Sequence, residues 1–275
     1  MRIPRVTKKL NDLQREYENA ANKPNTFYAE EFLKNNGSVK VGNRKETISN
    51  LIVSWMERDN PLLKVNQITT EDVYIVNHSG NPTTDTVNSN RYEELIAMEL
   101  FKRTNYSNSD IDYVVEYQVP IERVKGEKIS GVGKIDLVAV SHSKKQIYLM
   151  ELKRHSNKES LIRCAAESYT YYKQIDIAKL AKEIANSIKL KKDMEENCDN
   201  RKAEMVAEYE VVPSVLVFEN QRQHSQYGSE YFDKVKNLMN KLKISIFVIE
   251  VPNGYEDKNH AVYIPQCKIK DVTNV

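Results

Sequence analysis

At 275 residues, 40% hydrophobic and 29% charged, the chain has the apolar material for a sizeable core and the balance of a globular rather than a disordered or fibrous protein. A formal net charge of +2 is too small for bulk electrostatics alone to indicate nucleic acid or a charged surface as partner. Cys164, Cys198 and Cys267 form no Cys-x-x-Cys unit and the five histidines show no helical ligand spacing, which argues against a zinc or dithiol protein.

The N-terminus is charged from Arg2 onward and no apolar run reaches the roughly 18 residues of a membrane span, so neither signal peptide nor membrane partner is expected. Reduced thiols and a cytoplasmic location follow as expectations. Residues 1–45 carry ten Lys or Arg against five Asp or Glu. Leu10, Leu13, Tyr17 and Ala20 or Ala21 recur at helical spacing and predict a helix over Thr7–Ala21, stopped by Asn22-Lys23-Pro24-Asn25. Further short helices are predicted over Tyr28–Leu33 and from Thr47 to Glu57, where Leu51, Ile52 and Trp55 share a side. Short helices with basic charge could build a helix-turn-helix reader of DNA, but nothing marks a recognition helix, and a cap on the main domain is the preferred reading. Trp55 reads as core. Residues 58–88, with breaker clusters around one strand candidate at Val73–Val76, are the best place for a boundary.

A helix is predicted from Tyr92, capped by Ser89 or Asn90 and carrying Glu93 and Glu94 in its first turn. Helical spacing aligns Glu93 with Ile96, Ala97 and Leu100, which puts an acid on the sheet-facing stripe. Glu94 is the alternative after a small rotation, and Glu99 the weakest candidate. A strand follows at Tyr113–Ile121, in which Glu116 and Gln118 alternate with apolar residues and Pro120 suits an edge or end.

Two apolar runs come next, Gly131-Val-Gly-Lys-Ile-Asp136-Leu-Val-Ala-Val140 and Gln146-Ile-Tyr-Leu-Met-Glu151-Leu-Lys153, separated by Ser141-His-Ser-Lys-Lys145. Their length and composition predict a β-hairpin. Strand alternation puts Glu151 and Lys153 on one face, and antiparallel pairing across that turn brings Asp136 within about one residue of Glu151. Charged groups inside apolar strands are costly unless paired or bound to metal, and hard cations such as Mg²⁺ prefer carboxylate oxygen. Gly131 and Gly133 permit close backbone approach. Arg154 and Lys158, just beyond, could hold backbone phosphates or be ordinary surface charges. A helix from about Glu159 to Ile175, capped by Ser156 or Asn157, turns Leu161, Ala165, Ser168 and Tyr172 to the sheet. Lys179–Glu208, with seven basic and seven acidic residues, predicts a long exposed helix or helical hairpin. Buried strands at Val211–Phe218 and Ile244–Val251, separated by a helix over Tyr231–Leu242, indicate parallel pairing with helices on the faces.

Gly-x-Ile-Asp, then Glu-Leu-Lys after a second strand, then a helix resembles the PD-(D/E)XK nuclease superfamily over roughly residues 89–251. Tyr92-Glu93-Glu94-Leu-Ile-Ala is also similar to the Phe-Glu-x-Leu-Val run that opens the core of restriction-type members, where that Glu joins the metal site. The resemblance implies an α/β, restriction endonuclease-like core: helix, three-stranded meander, helix, strand, helix, strand, forming a mixed sheet flanked by helices. Its expected bounds are 89–275, with a helical insertion near 176–210, after an N-terminal mainly helical region at 1–88. The implied activity is Mg²⁺-dependent hydrolysis of DNA phosphodiesters, with Mn²⁺ as a substitute, in a restriction, defence or repair setting. Asp136, Glu151, the Leu152 carbonyl and Glu93 would hold the metal, and Lys153 would orient the attacking water. Where related members carry a Gln and a Tyr four residues later, this chain has Glu167 and Tyr171, and the role of Glu167 stays open. Oligomeric state is open too, although a homodimer with two sites would cut both strands of a duplex most easily. The rival expectations are a catalytically inactive nucleic-acid-binding module and an interaction protein with a buried ion network.

Overall fold

A computed structural model describes residues 10–68, 73–81, 91–121 and 133–273. The N-terminal part contains α1 (Leu10–Ala21), a 3-10 turn at Pro24–Ala29, α2 (Glu31–Lys34), a hairpin of β1 (Ser38–Val41) and β2 (Arg44–Thr47), and α3 (Ile48–Met56). The main part runs α4 (Tyr92–Lys102), β3 (Tyr113–Pro120), β4 (Lys134–Ser141), β5 (Gln146–Leu152), α5 (Leu161–Gln174), α6 (Ile177–Ala185), α7 (Ile188–Glu196) and β6 (Glu210–Phe218). It closes with α8 (Arg222–Tyr227), α9 (Asp233–Lys241), β7 (Ser245–Glu250), α10 (His260–Tyr263) and β8 (Lys268–Asp271).

The fold is α/β around an open mixed sheet which, among the described residues, has six strands in the order β3-β4-β5-β6-β7-β8. β3, β4 and β5 pair antiparallel, β4 and β5 through a short turn, whereas the helical crossovers after β5 and β6 make β5, β6 and β7 parallel. The sheet interior is apolar on both faces. Leu137, Met150, Leu152, Leu216 and Phe247 pack with Ile96, Ala97 and Leu100 of α4 on one side. Val138, Val140, Ile147 and Leu149 face Leu180 and Ile184 of α6 on the other. On that same side Val215 and Ile246 meet α5, α9 and the N-terminal helices, so Leu13, Ile52 and Trp55 share a core with the sheet.

Several local expectations are corrected. Val73–Val76 is not a strand; the backbone N–H groups of Tyr74 and Ile75 instead donate to the Glu183 carboxylate at 2.6 and 3.0 Å. Tyr28–Leu33 is a 3-10 turn and one α-helical turn, not one helix. The helix after Lys153 starts at Leu161, because Ser160 rather than Ser156 or Asn157 accepts the Arg163 N–H. Lys179–Glu208 is not one long exposed helix but lies over two short helices, α6 and α7, and a 3-10 turn, exposed on one side only. Ser187 caps a fresh helix, and Leu180, Ile184, Leu190, Met194 and Val206 are buried against the sheet. The β1–β2 hairpin, α8 and β8 were not anticipated. The caps expected at Ser89 and Asn90, and Gly131, lie outside the described residues.

Candidate active site

The β4–β5 hairpin sets the geometry. Its register pairs Leu137 with Met150 and Ser141 with Gln146, so Asp136, one step further, lies opposite Glu151. Both side chains emerge beside α5, near the carboxyl end of β5, and Lys153 follows Glu151 on the same face. Lys153 Nζ donates to Glu151 Oε1 at 2.5 Å and to Glu167 Oε2, from α5, at 2.9 Å, and lies 3.4 Å from Glu159 Oε2. Glu151 and Lys153 are each only 5% exposed, so this is a desolvated cluster rather than a surface ion pair. Asp136 Oδ2 accepts the Leu152 N–H at 2.9 Å, and Oδ1 accepts Gln118 Nε2 at 2.9 Å. Glu151 Oε2 is buried with no hydrogen-bond partner.

Three buried or cleft-lining carboxylates, Asp136, Glu151 and Glu167, thus converge around the Lys153 ammonium. Burial pushes the Asp136 carboxyl up to about 7; Lys153 opposes that rise, and Glu93 and Glu167 add to it. Burial, then Asp136 and Glu167, hold Glu151 well above the carboxylate range. Burial also works against the charge on Lys153, but Glu151 and Glu167 outweigh it and keep the ammonium protonated. Glu167 goes the other way: Lys153 and Arg163 overcome its burial and lower it. Were all three acids ionised, the cluster would hold two more negative charges than the ammonium balances, a state that calls for a counter-cation or a proton.

These groups line a cleft of about 640 Å³. Glu93 reaches it from the first turn of α4, around the end of the sheet, and its Oε1 accepts the Arg154 N–H at 3.2 Å and Asn157 Nδ2 at 3.4 Å. Glu94 also borders the cleft but leans 3.6 Å from Arg91, and Glu99 pairs with Lys102. The Leu152 side chain is buried against α4, and its backbone N–H donates to Asp136. Arg154 lines the cleft; Lys158 is exposed outside it, with its carbonyl accepting from Asn36 and Arg222. Lys134 and Arg163 add cationic walls.

Sequence reasoning did not assign Gln118, Glu159, Arg163 or Lys134 to the site. The signals available were weak: Glu159 precedes the Ser160 cap and Arg163 lies in the first turn of α5, where a start at Leu161 rather than Glu159 changes which side chains face the cleft. Glu167 and Tyr171 do enter the site, and Tyr171 Oη donates to Glu167 Oε1 at 3.1 Å. A Cβ on Gly133 would come within 2.1 Å of the Tyr171 hydroxyl, so this glycine is what lets the Tyr171 ring lie beneath the start of β4.

Among the described residues no three His, Cys, Asp or Glu side chains are already gathered in metal-binding geometry. The reason is visible in the bonds: the Lys153 ammonium occupies the space between Glu151 and Glu167, and Glu93 is turned toward the Arg154 backbone. The donor set nevertheless fits a hard divalent cation. It offers carboxylate oxygens on adjacent strands, an unpartnered buried oxygen on Glu151, and excess negative charge. Comparison with known protein families, with curated proteins and with solved structures finds no match. Among the described residues no helix is long and apolar enough to cross a membrane.

Proposed function

We propose that this chain is a divalent-metal-dependent nuclease of the PD-(D/E)XK type that hydrolyses phosphodiester bonds in DNA as an endonuclease of restriction, defence or repair. The observation that carries the reading is the opposition of Asp136 and Glu151 across two adjacent strands, with Lys153 next on the same face and Glu151 Oε2 left without a partner. The order of α4, three antiparallel strands, helix, strand, helix and strand supports a restriction endonuclease-like core.

Asp136, Glu151, the Leu152 carbonyl and Glu93 would hold Mg²⁺ or Mn²⁺. Such an ion, when bound, supplies a water of lowered pKa and positive charge for the phosphate oxygens. Lys153 keeps its proton in this environment and can donate to the attacking water or to the growing phosphate charge, while Glu167 and Glu159 keep its ammonium in the cleft. Arg154 can hold a backbone phosphate from the cleft wall, and Lys158 from the adjoining surface. A second reading, an inactive nucleic-acid-binding or interaction protein on the same fold, draws on the fact that Lys153 already pairs with three carboxylates in one ion network.

Cleavage of supercoiled, linear and single-stranded DNA with Mg²⁺ or Mn²⁺ separates the two. The nuclease cuts, and Glu151→Ala and Lys153→Ala each slow it by on the order of a thousandfold. Absence of both cleavage and metal binding in the wild type would leave the second reading standing.

A further inference from the structure

Gln118 lies in β3 between the Tyr117–Leu137 and Val119–Ile135 pairs, and is therefore opposite Asp136. Its φ is +51°, in the left-handed region that a non-glycine residue seldom adopts inside a strand. The packing changes side at the same place. Residues two apart in a regular strand share a face, yet Tyr117 packs with α4 while Val119 packs on the opposite side with α6. The facing strand changes side at the same place, Leu137 packing with α4 and Ile135 with α6, and across this crossing point Gln118 directs its amide to Asp136 Oδ1 at 2.9 Å.

Such strain persists only where the surroundings enforce it. Here β3 is an outer strand of the sheet, and it is pinned just before Gln118. A bulge falls between Val114 and Glu116, and the fully buried Glu116 carboxylate accepts the Asn77 N–H at 2.7 Å and meets His78 Nδ1 at 2.8 Å. A left-handed backbone alone would be served best by glycine; it has no use for an amide. What the amide adds is a second hold on Asp136, whose other oxygen is already held by the Leu152 N–H. Gripped on both oxygens, the carboxylate cannot rotate, and each oxygen keeps a lone pair for another partner.

We infer that Gln118 is a positioning residue for the metal centre, fixing the Asp136 carboxylate in the orientation that receives a divalent cation. This rests on the nuclease reading of the same cleft. Hydrogen-bond partners of ligating carboxylates typically tune metal affinity by about 10–100-fold.

The test is calorimetric titration of the full-length protein with Mn²⁺, with thermal unfolding alongside, for wild type, Gln118→Gly and Gln118→Met. Glycine keeps the left-handed backbone and deletes the amide; methionine keeps the length and deletes the donor. Both variants are expected to fold and to bind Mn²⁺ about 10–100-fold more weakly than wild type. If Gln118→Gly folds and binds Mn²⁺ within about twofold of wild type, Gln118 is a backbone device only and the inference falls while the nuclease reading survives. Should the glycine variant not fold, unchanged affinity in Gln118→Met overturns it equally. A wild type that binds no Mn²⁺ overturns the metal reading of the cleft, and the inference with it.

Discussion

Asp136 and Glu151 are displaced in the same direction, both upward, chiefly because burial penalises their charge. The unfolded chain releases the Asp136 proton near its ordinary 3.8, whereas the folded chain keeps it to about 7. Between those values the folded state binds more protons than the unfolded one, so stability falls as pH rises through the window. Glu151 contributes with the same sign. In metal-free buffer the melting temperature is therefore expected to drop between pH 4 and 7 more steeply in wild type than in Asp136→Asn, measured by circular dichroism. A flat wild-type profile, superimposable on the variant's, would show that the pair ionises freely. Activity should run the opposite way, rising toward pH 7 as Asp136 ionises and can hold a cation. Asp136, Glu151 and Lys153 were legible in the sequence because strand alternation and a short turn fix which side chains meet. Gln118 was not, because both strands change side between the Tyr117–Leu137 and Val119–Ile135 pairs, and nothing in a glutamine announces a positive φ.

At the scale of elements, legibility followed the strength of local punctuation. The β4–β5 hairpin, β6 and β7 stood out because apolar runs end at polar breakers, and α1 and α3 because their stripes are regular. β8 did not, since Lys268-Ile-Lys-Asp271 is mostly polar and exists as a strand only by pairing with β7. The stretch after Ile175 misled for a different reason. Its evenly mixed charge suggested a solvated helix, but most of the charges occupy the outer surfaces of two short helices whose inner faces complete the core over β4 and β5, and the buried Asp193 is paired with Lys189. Ile184 is fully buried, whereas its neighbour Lys182 is exposed. Ile184→Ala should thus lower the unfolding free energy by about 2–5 kcal/mol. Lys182→Ala should change it by no more than about 0.5 kcal/mol, with both read from urea denaturation. Equal effects would mean that α6 is a detachable arm rather than part of the core.

For the whole molecule, the question is whether the N-terminal part and the cleft unfold as one unit. Several contacts join them. Ser160, at the head of α5, donates to the Leu33 carbonyl, Arg163 donates to the Tyr28 carbonyl, and the Tyr28 and Tyr171 hydroxyls lie 3.4 Å apart. Helix α5 is thus gripped from the N-terminal side at its start while it presents Glu167 and Tyr171 to the cleft. The chain's one tryptophan, Trp55, is buried in the shared core beside Tyr17, at a ring separation of 5.3 Å, and reports on the N-terminal part. An ion bound only by the folded cleft stabilises whatever unfolds together with it, by about 2.7 kcal/mol at a hundredfold excess over Kd. Mg²⁺ is therefore expected to raise the Trp55 fluorescence transition and the far-ultraviolet circular dichroism transition by the same few degrees, with neither shift present in Asp136→Asn or in excess chelator. A circular dichroism transition that moves while the Trp55 transition stays in place would show that residues 10–62 melt independently, despite the core they share with the sheet.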